Sequence, residues 1–145
     1  MITFKQFINP FYVLVAEEIE FEKHKSIPNS TYRSHSATIG KHNLHLSFSH
    51  LPSSNTCDVD FQINGSSRVG DMNPKDGHAI LHHVAKAVHA YKEKYNPSSF
   101  TFTANHEKKA SVYKQFAKHL AKHYGGTYKP SPYSNNIHAV VFNDK

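Results

Sequence analysis

The feature that most constrains the fold is a helical pattern of apolar residues in the second half of the chain. Between residues 77 and 95 the apolar side chains recur at spacings of three or four. They are Ile80, Val84, Val88, Tyr91 and Tyr95. This spacing puts them on one face of a helix, and that face must be buried against another element. The pattern predicts an amphipathic helix that ends before Asn96-Pro97.

A second amphipathic helix is predicted from Glu107 to Tyr124. Its apolar stripe consists of Tyr113, Phe116, Ala117, Leu120 and Tyr124. Gly125-Gly126 follows directly, and glycine after the last periodic residue is the usual end of a helix.

Alternating residues predict strands around the two helices. Leu44, Leu46 and Phe48 alternate in the stretch 37–50, and the stretch 57–64 alternates in the same way. The short segment between these two strands predicts an antiparallel pair. Further strands are predicted at 99–104 and 137–143. The order predicts an α/β (α+β) fold, in which two amphipathic helices pack on a mostly antiparallel sheet with one crossover.

The first third of the chain is less regular. Residues 3–8 predict a short helix, and 11–21 is interpreted as a strand although its second half also suits a helix. The polar stretch 22–36 is interpreted as a loop. The length of 145 residues fits a single domain, 1–145.

The charge balance favours anionic partners. Lysine and arginine total 17 against 11 acidic residues, and 13 histidines are also present. Cys57 is the single cysteine, so an intramolecular disulfide is excluded and a reducing compartment is expected. The apolar run 11–16 is far shorter than the roughly 20 residues of a membrane span. We therefore expect a cytoplasmic protein with no membrane partner.

The turn before the first helix carries a resemblance to a known family. Residues 74–79 read PKDGHA, and the order of elements around them is similar to that of the GNAT superfamily of acyl-coenzyme A N-acyltransferases. That family has a Q/R-x-x-G-x-G/A loop whose backbone N–H groups bind the coenzyme A pyrophosphate at a helix N-terminus. The resemblance implies a GNAT-like fold, with Lys75, Gly77, His78 and Ala79 as cofactor-binding residues.

The match to this loop is degenerate. Pro74 stands where the family has Gln or Arg, and Asp76 puts a carboxylate where a diphosphate would bind. The alternative interpretation is a plain strand-to-helix turn, and we favour it.

A second part of the resemblance concerns Tyr113. The family has an N-x-x-A-x-x-L-Y pattern, and here Ala110 and Tyr113 keep the Ala-x-x-Tyr spacing, with Asn105 two residues further upstream. The resemblance implies that Tyr113 is the catalytic general acid, which protonates the departing coenzyme A thiolate. The residues themselves leave another role open, because Tyr113 also belongs to an apolar stripe.

A narrower resemblance links residues 57–143 to small phage-encoded proteins, which are mostly uncharacterised. It rests on FQING, the variable glycine loop, PSSFTFTA and the tyrosine-containing second helix, and MITFKQFI is similar to the openings of such proteins. It implies a phage origin, hence the host cytoplasm, and says more about fold than about activity.

The histidines raise a metal hypothesis. His78 and His82 are four residues apart, as are His119 and His123, and this spacing lets two imidazoles reach one ion. A third ligand is not recognisable nearby, so we predict solvent-facing histidines and no metal site.

The second helix carries five lysines after Glu107 and no further carboxylate. They are Lys108, Lys109, Lys114, Lys118 and Lys122, and we place them on the face opposite the apolar stripe. Such a run is usually a solvated face. Because i,i+4 pairing cannot be its purpose, we predict that Lys114, Lys118 and Lys122 bind an anionic partner.

Tyr124, Tyr128 and Tyr133 lie near these lysines in the sequence, either exposed for contact with nucleic acid or packed under the loop after the helix.

Two functions remain. We favour a binding or scaffold module for nucleic acid or an acidic phage or host protein, with no cofactor. The alternative is an acetyl-CoA-dependent N-acetyltransferase.

Overall fold

The computed structural model describes residues 19–24, 29–64, 74–104 and 107–143. The predicted helix at 3–8, most of the strand predicted at 11–21 and the variable glycine loop before Pro74 lie outside these residues.

The described residues form seven strands and two helices. The strands are β1 (Glu22–Lys23), β2 (Thr31–Ile39), β3 (His42–Leu51), β4 (Thr56–Ile63), β5 (Ser99–Thr103), β6 (Gly126–Pro130) and β7 (Ile137–Phe142). The helices are α1 (Pro74–Tyr95) and α2 (Glu107–Tyr124).

The strands form one sheet in the order β1-β2-β3-β4-β5-β7-β6. β4 and β5 are parallel, and every other neighbouring pair is antiparallel. The parallel pair is joined through α1, because parallel neighbours need a crossover connection. The predicted fold class, two amphipathic helices on a mostly antiparallel sheet, is confirmed.

Both helices pack on the same face of this sheet and share β5 as a neighbour. Tyr91 of α1 lies with its ring centre 6.2 Å from that of Phe100, and Tyr113 of α2 lies 5.2 Å from Phe102. The predicted apolar stripe of α1 is confirmed, since Ile80, Val84 and Val88 are all buried.

Two predictions were wrong, and one strand was not predicted. The helix predicted to start at Gly77 begins at Pro74, because proline has the backbone angle of a first helical residue and needs no N–H there. The stretch 22–36, predicted as a loop, contains β1 and most of β2. β6 follows α2 directly and was not predicted.

Most of β2 was not predicted because its core-facing side chains are polar. Arg33 and His35 point towards α1, where Arg33 donates to the Tyr91 hydroxyl at 3.0 Å and His35 lies 2.9 Å from His83, Nε2 to Nε2. The Arg33 guanidinium also covers the ring of Tyr95 at 3.8 Å. Polar residues therefore occupy core-facing positions of this strand and find partners there.

The predicted helix end at Gly125 is confirmed by its φ of 79°, a left-handed angle that suits glycine. At Gly126 a side chain would approach the Val141 carbonyl oxygen to 2.5 Å. The two glycines thus let the chain turn from α2 directly into the edge strand β6.

Candidate functional site

Three exposed lysines follow one side of α2. Lys114, Lys118 and Lys122 are four residues apart, which corresponds to about 6 Å along the helix axis. Within the described part of the chain, none of the three forms an ion pair. The predicted partner-binding residues therefore keep their positive charge at the surface.

A groove lies between α2 and the loop that joins β6 to β7, and we call it the lysine groove. Its volume is about 620 Å³. Residues that line it include Lys114, Lys118, Tyr128, Ser131, Ser134 and His138. Lys122 is exposed one turn beyond Lys118. Part of the lysine-bearing face of α2 therefore forms one wall of a groove.

One wall of the lysine groove is fixed by a buried histidine. His138 Nε2 lies 2.8 Å from the Asn135 carbonyl oxygen, and Nδ1 lies 2.7 Å from the Tyr128 hydroxyl. A carbonyl only accepts, so Nε2 donates; in the neutral ring, Nδ1 accepts from Tyr128. Desolvation raises the pKa of Tyr128, which keeps that hydroxyl protonated. The Lys118 ammonium lies 5.4 Å from the centre of the Tyr128 ring.

A different lysine of α2 is buried where β4 and β5 separate. Their pairing ends at Val59 and Phe102, and we call the space beyond this pair the sheet gap. Lys109 is 1% exposed there and donates to Asp60 Oδ1 at 2.8 Å and to the Phe61 carbonyl. The prediction that Lys109 belongs to the solvated face was wrong, because this ammonium takes the place of a neighbouring strand.

Tyr113 occupies the same sheet gap. Its hydroxyl donates to Asp60 Oδ1 at 2.8 Å and accepts from the Phe61 N–H at 3.3 Å. Burial, and then the nearby Asp60 carboxylate, raise the pKa of this phenol above its usual range. The side chain is 1% exposed. Its proton is thus engaged inside the protein, and a substrate would have to displace Asp60 to receive it.

The residues implied in cofactor binding lie in the first turns of α1. The interpretation of 74–79 as a loop was wrong, since the whole stretch is helical. Lys75 and Ala79 are exposed, whereas Gly77 and His78 are partly buried. Asp76 accepts from His42 Nε2 at 3.2 Å and ties the start of α1 to β3. A carboxylate at a helix start is favourable, and it repels a diphosphate at the same place.

The residues implied in cofactor binding and Tyr113 lie towards the same end of the sheet, near the carboxyl ends of β4 and β5. Near the end of β4, Asn64 contacts His42, which in turn binds Asp76 of α1. Asp60 of β4 binds the first turn of α2 through Lys109. Both helices therefore begin near the carboxyl ends of the parallel pair.

Two histidines meet between the helices. His89 Nε2 of α1 lies 3.1 Å from His119 Nε2 of α2, and His89 Nδ1 lies 2.8 Å from the Tyr124 hydroxyl. Burial, and then the neighbouring histidines, lower the pKa of His89 to about 3. Burial, with His123 and Lys122 nearby, lowers the pKa of His119 to about 4. Of the histidines predicted to face solvent, His123 is exposed, whereas His78, His82 and His119 are partly buried.

The sequence interpretation missed the wall of the lysine groove that β6 and β7 supply. His138 and the serines of the KPSPYSNN loop were not singled out, although a polar loop with tyrosines beside a basic helix was a usable signal. Of the two positions considered for Tyr124, Tyr128 and Tyr133, packed or exposed, both are found. Tyr124 and Tyr128 pack against the core, and Tyr133 is 95% exposed.

Comparisons with protein-family models, with curated proteins and with solved structures gave no match.

Among the described residues, no group of three or more histidine, cysteine or acidic side chains is arranged to hold a metal ion. Neither described helix has both the length and the apolar composition needed to cross a bilayer.

Proposed function

We propose that this chain is a binding module for an anionic partner, nucleic acid or an acidic protein, and that the exposed lysines of α2 form its contact surface. The GNAT-like scaffold and the phage origin that the sequence resemblance implies are part of this proposal, as is action in the cytoplasm, the host's if the chain is phage-encoded. The observation that carries it is the lysine groove, in which Lys114 and Lys118 border a concave surface without a described carboxylate partner.

The energetics support this use of the lysines. Like charges in one helix repel each other, and an anionic partner would relieve that repulsion. The same side chains lie off the buried stripe of Phe116, Ala117 and Leu120. Their charge is therefore dispensable for packing and suited to binding.

The residues implied in catalysis fit coenzyme A poorly. Asp76 places a negative charge in the first turn of α1, where a diphosphate would bind. The Tyr113 phenol is buried and donates its hydrogen to Asp60. Both features disfavour a coenzyme A site at the start of α1.

An acetyl-CoA-dependent N-acetyltransferase is the second candidate. It is favoured by one observation, that α1 and α2 both begin near the carboxyl ends of β4 and β5, so Lys75, Gly77 and Tyr113 lie towards one edge of the sheet.

The main experiment measures binding of fluorescent duplex DNA, single-stranded DNA and a polyglutamate peptide over a range of salt concentrations. We expect the K114Q/K118Q/K122Q variant to bind the preferred polymer more weakly than the wild-type protein. For duplex DNA, the salt slope should fall by about 0.9 for each phosphate that the variant no longer neutralises.

The matched control is K23Q/K41Q/K94Q, which removes three exposed lysines from β1, the β2–β3 turn and the end of α1. Equal weakening in both variants would indicate a net-charge effect and count against the lysine groove as the site. Undetectable binding of all three polymers would reject the proposal.

Calorimetric titration with acetyl-CoA tests the second candidate. Micromolar binding that is abolished by Gly77→Trp would support the enzyme, whereas no detectable heat would count against it. Tyr113→Phe should then lower the acetylation rate without changing acetyl-CoA affinity.

A further inference from the structure

The loop between β6 and β7 presents one tyrosine beside the lysine groove. Tyr133 is 95% exposed, and it stands between Ser131 and Ser134, both of which line the groove. Complete exposure gives up the burial energy of an aromatic ring. The exposed ring offers a flat apolar face to a partner.

The loop that carries Tyr133 is held by hydrogen bonds. The Tyr133 N–H donates to Ser131 Oγ at 3.1 Å, and the Asn136 N–H donates to Ser134 Oγ at 3.1 Å. The Asn136 carbonyl accepts from the Ala104 N–H at 2.8 Å, which anchors the loop to the end of β5. A ring on an anchored loop loses little conformational entropy on binding.

The two serines add hydrogen-bond donors to the lysine groove. Each hydroxyl accepts one hydrogen bond from the backbone, and a serine hydroxyl also has one hydrogen to donate. Lys114 and Lys118 supply positive charge on the opposite wall. Cations and hydroxyl donors around one groove suit phosphate oxygens.

We propose that the lysine groove binds single-stranded nucleic acid, with phosphates at Lys114 and Lys118 and one unpaired base stacked on Tyr133. This inference rests on the proposed function and identifies its partner class. Stacking requires an exposed base face, which a single strand offers and a duplex hides. An acidic peptide would meet the lysines but has no flat ring for Tyr133.

The test is fluorescence anisotropy of a labelled dT20 strand, a 20-base-pair duplex and a 20-residue polyglutamate peptide with the full chain. We expect dT20 to bind best. Tyr133→Ala should weaken dT20 binding at least about fivefold, the lower end of the range for replacing a stacking aromatic by alanine. Tyr133→Phe keeps the ring and should retain dT20 binding. Because Tyr133 is exposed, folding should be unaffected in both variants, which circular dichroism checks.

The outcomes separate this inference from the proposed function. If K114Q/K118Q/K122Q weakens binding and Tyr133→Ala does not, the anion-binding surface stands and the single-strand assignment fails. Tighter binding of the duplex or of polyglutamate would also overturn it. If dT20, duplex and peptide all fail to bind, both proposals fall together.

Discussion

Lys109 and Lys114 lie five residues apart in α2 and have opposite surroundings. Lys109 is 1% exposed in the sheet gap and is paired with Asp60. Lys114 is exposed and borders the lysine groove. The Lys109 ammonium binds β4 where β4 and β5 separate, whereas the Lys114 ammonium faces solvent. A lysine of α2 therefore contributes positive charge to the surface only where the sheet offers its ammonium no partner.

The largest effect on stability is expected from replacing Lys109, and a replacement of Lys114 should have little effect. Lys109→Met keeps most of the side-chain volume but leaves the Phe61 carbonyl without its charged donor, so the free energy of unfolding should fall by about 2 kcal/mol. Asp60 is 44% exposed on its side chain, so water can solvate part of the charge left behind. Urea denaturation measures the decrease.

Lys114→Met is the matched control for this change. It removes the same charge from an exposed position of the same helix, and its effect on unfolding should stay within about 0.5 kcal/mol. Equal decreases in both variants would show that Lys109 contributes no more than a surface lysine and would break the comparison.

The pH dependence of stability tests a second buried contact of α2, the one between His119 and His89 of α1. The pKa values of His89 and His119 are lowered to about 3 and about 4, so below pH 6.5 the unfolded chain binds protons that the folded chain does not. Stability should therefore decrease as the pH falls from about 6.5 towards 4.

Thermal denaturation between pH 7 and pH 4.5 measures this decrease. His119→Gln should flatten the profile, because it removes one of the two groups that must stay neutral. His45→Gln, on β3 and away from the helix contact, is the matched control for this replacement. A wild-type profile that is flat across this range would contradict the assignment.

The smallest expected effect concerns the exposed side of α2. In K114Q/K118Q/K122Q the free energy of unfolding should change by no more than about 0.5 kcal/mol, since all three side chains lie off the buried stripe. Urea denaturation of the variant beside the wild-type protein gives the value. A decrease above about 1 kcal/mol would mean that these lysines support the fold, and any binding defect would need to be corrected for it.

The periodic elements could be predicted from the sequence, and the polar ones could not. The stripe through Ile80, Val84 and Val88 indicated α1, because burying an apolar face leaves a regular spacing. β2 was missed because Arg33 and His35 occupy its core-facing positions. A strand whose inward side chains are polar has no hydrophobic alternation to detect.

Part of the candidate site was chosen from the sequence. Lys114, Lys118 and Lys122 were chosen from the sequence because the helix after Glu107 contains lysines and no carboxylate. Their neighbours in the lysine groove come from β6, β7 and the loop between them, up to 24 residues away along the chain from Lys114 to His138. Sequence spacing carries no information about such contacts.

The two amphipathic helices, the alternating strands and the excess of positive charge could all be read from the sequence, because they follow from local periodicity and from residue counts. The tertiary structure decided which lysine is buried, which tyrosine is exposed and where a groove opens. For the lysines, the reason is that β4 and β5 stop pairing after Val59 and Phe102. The unpaired Phe61 backbone then needs partners, and α2 supplies Lys109 and Tyr113 while the later lysines of α2 stay in solvent.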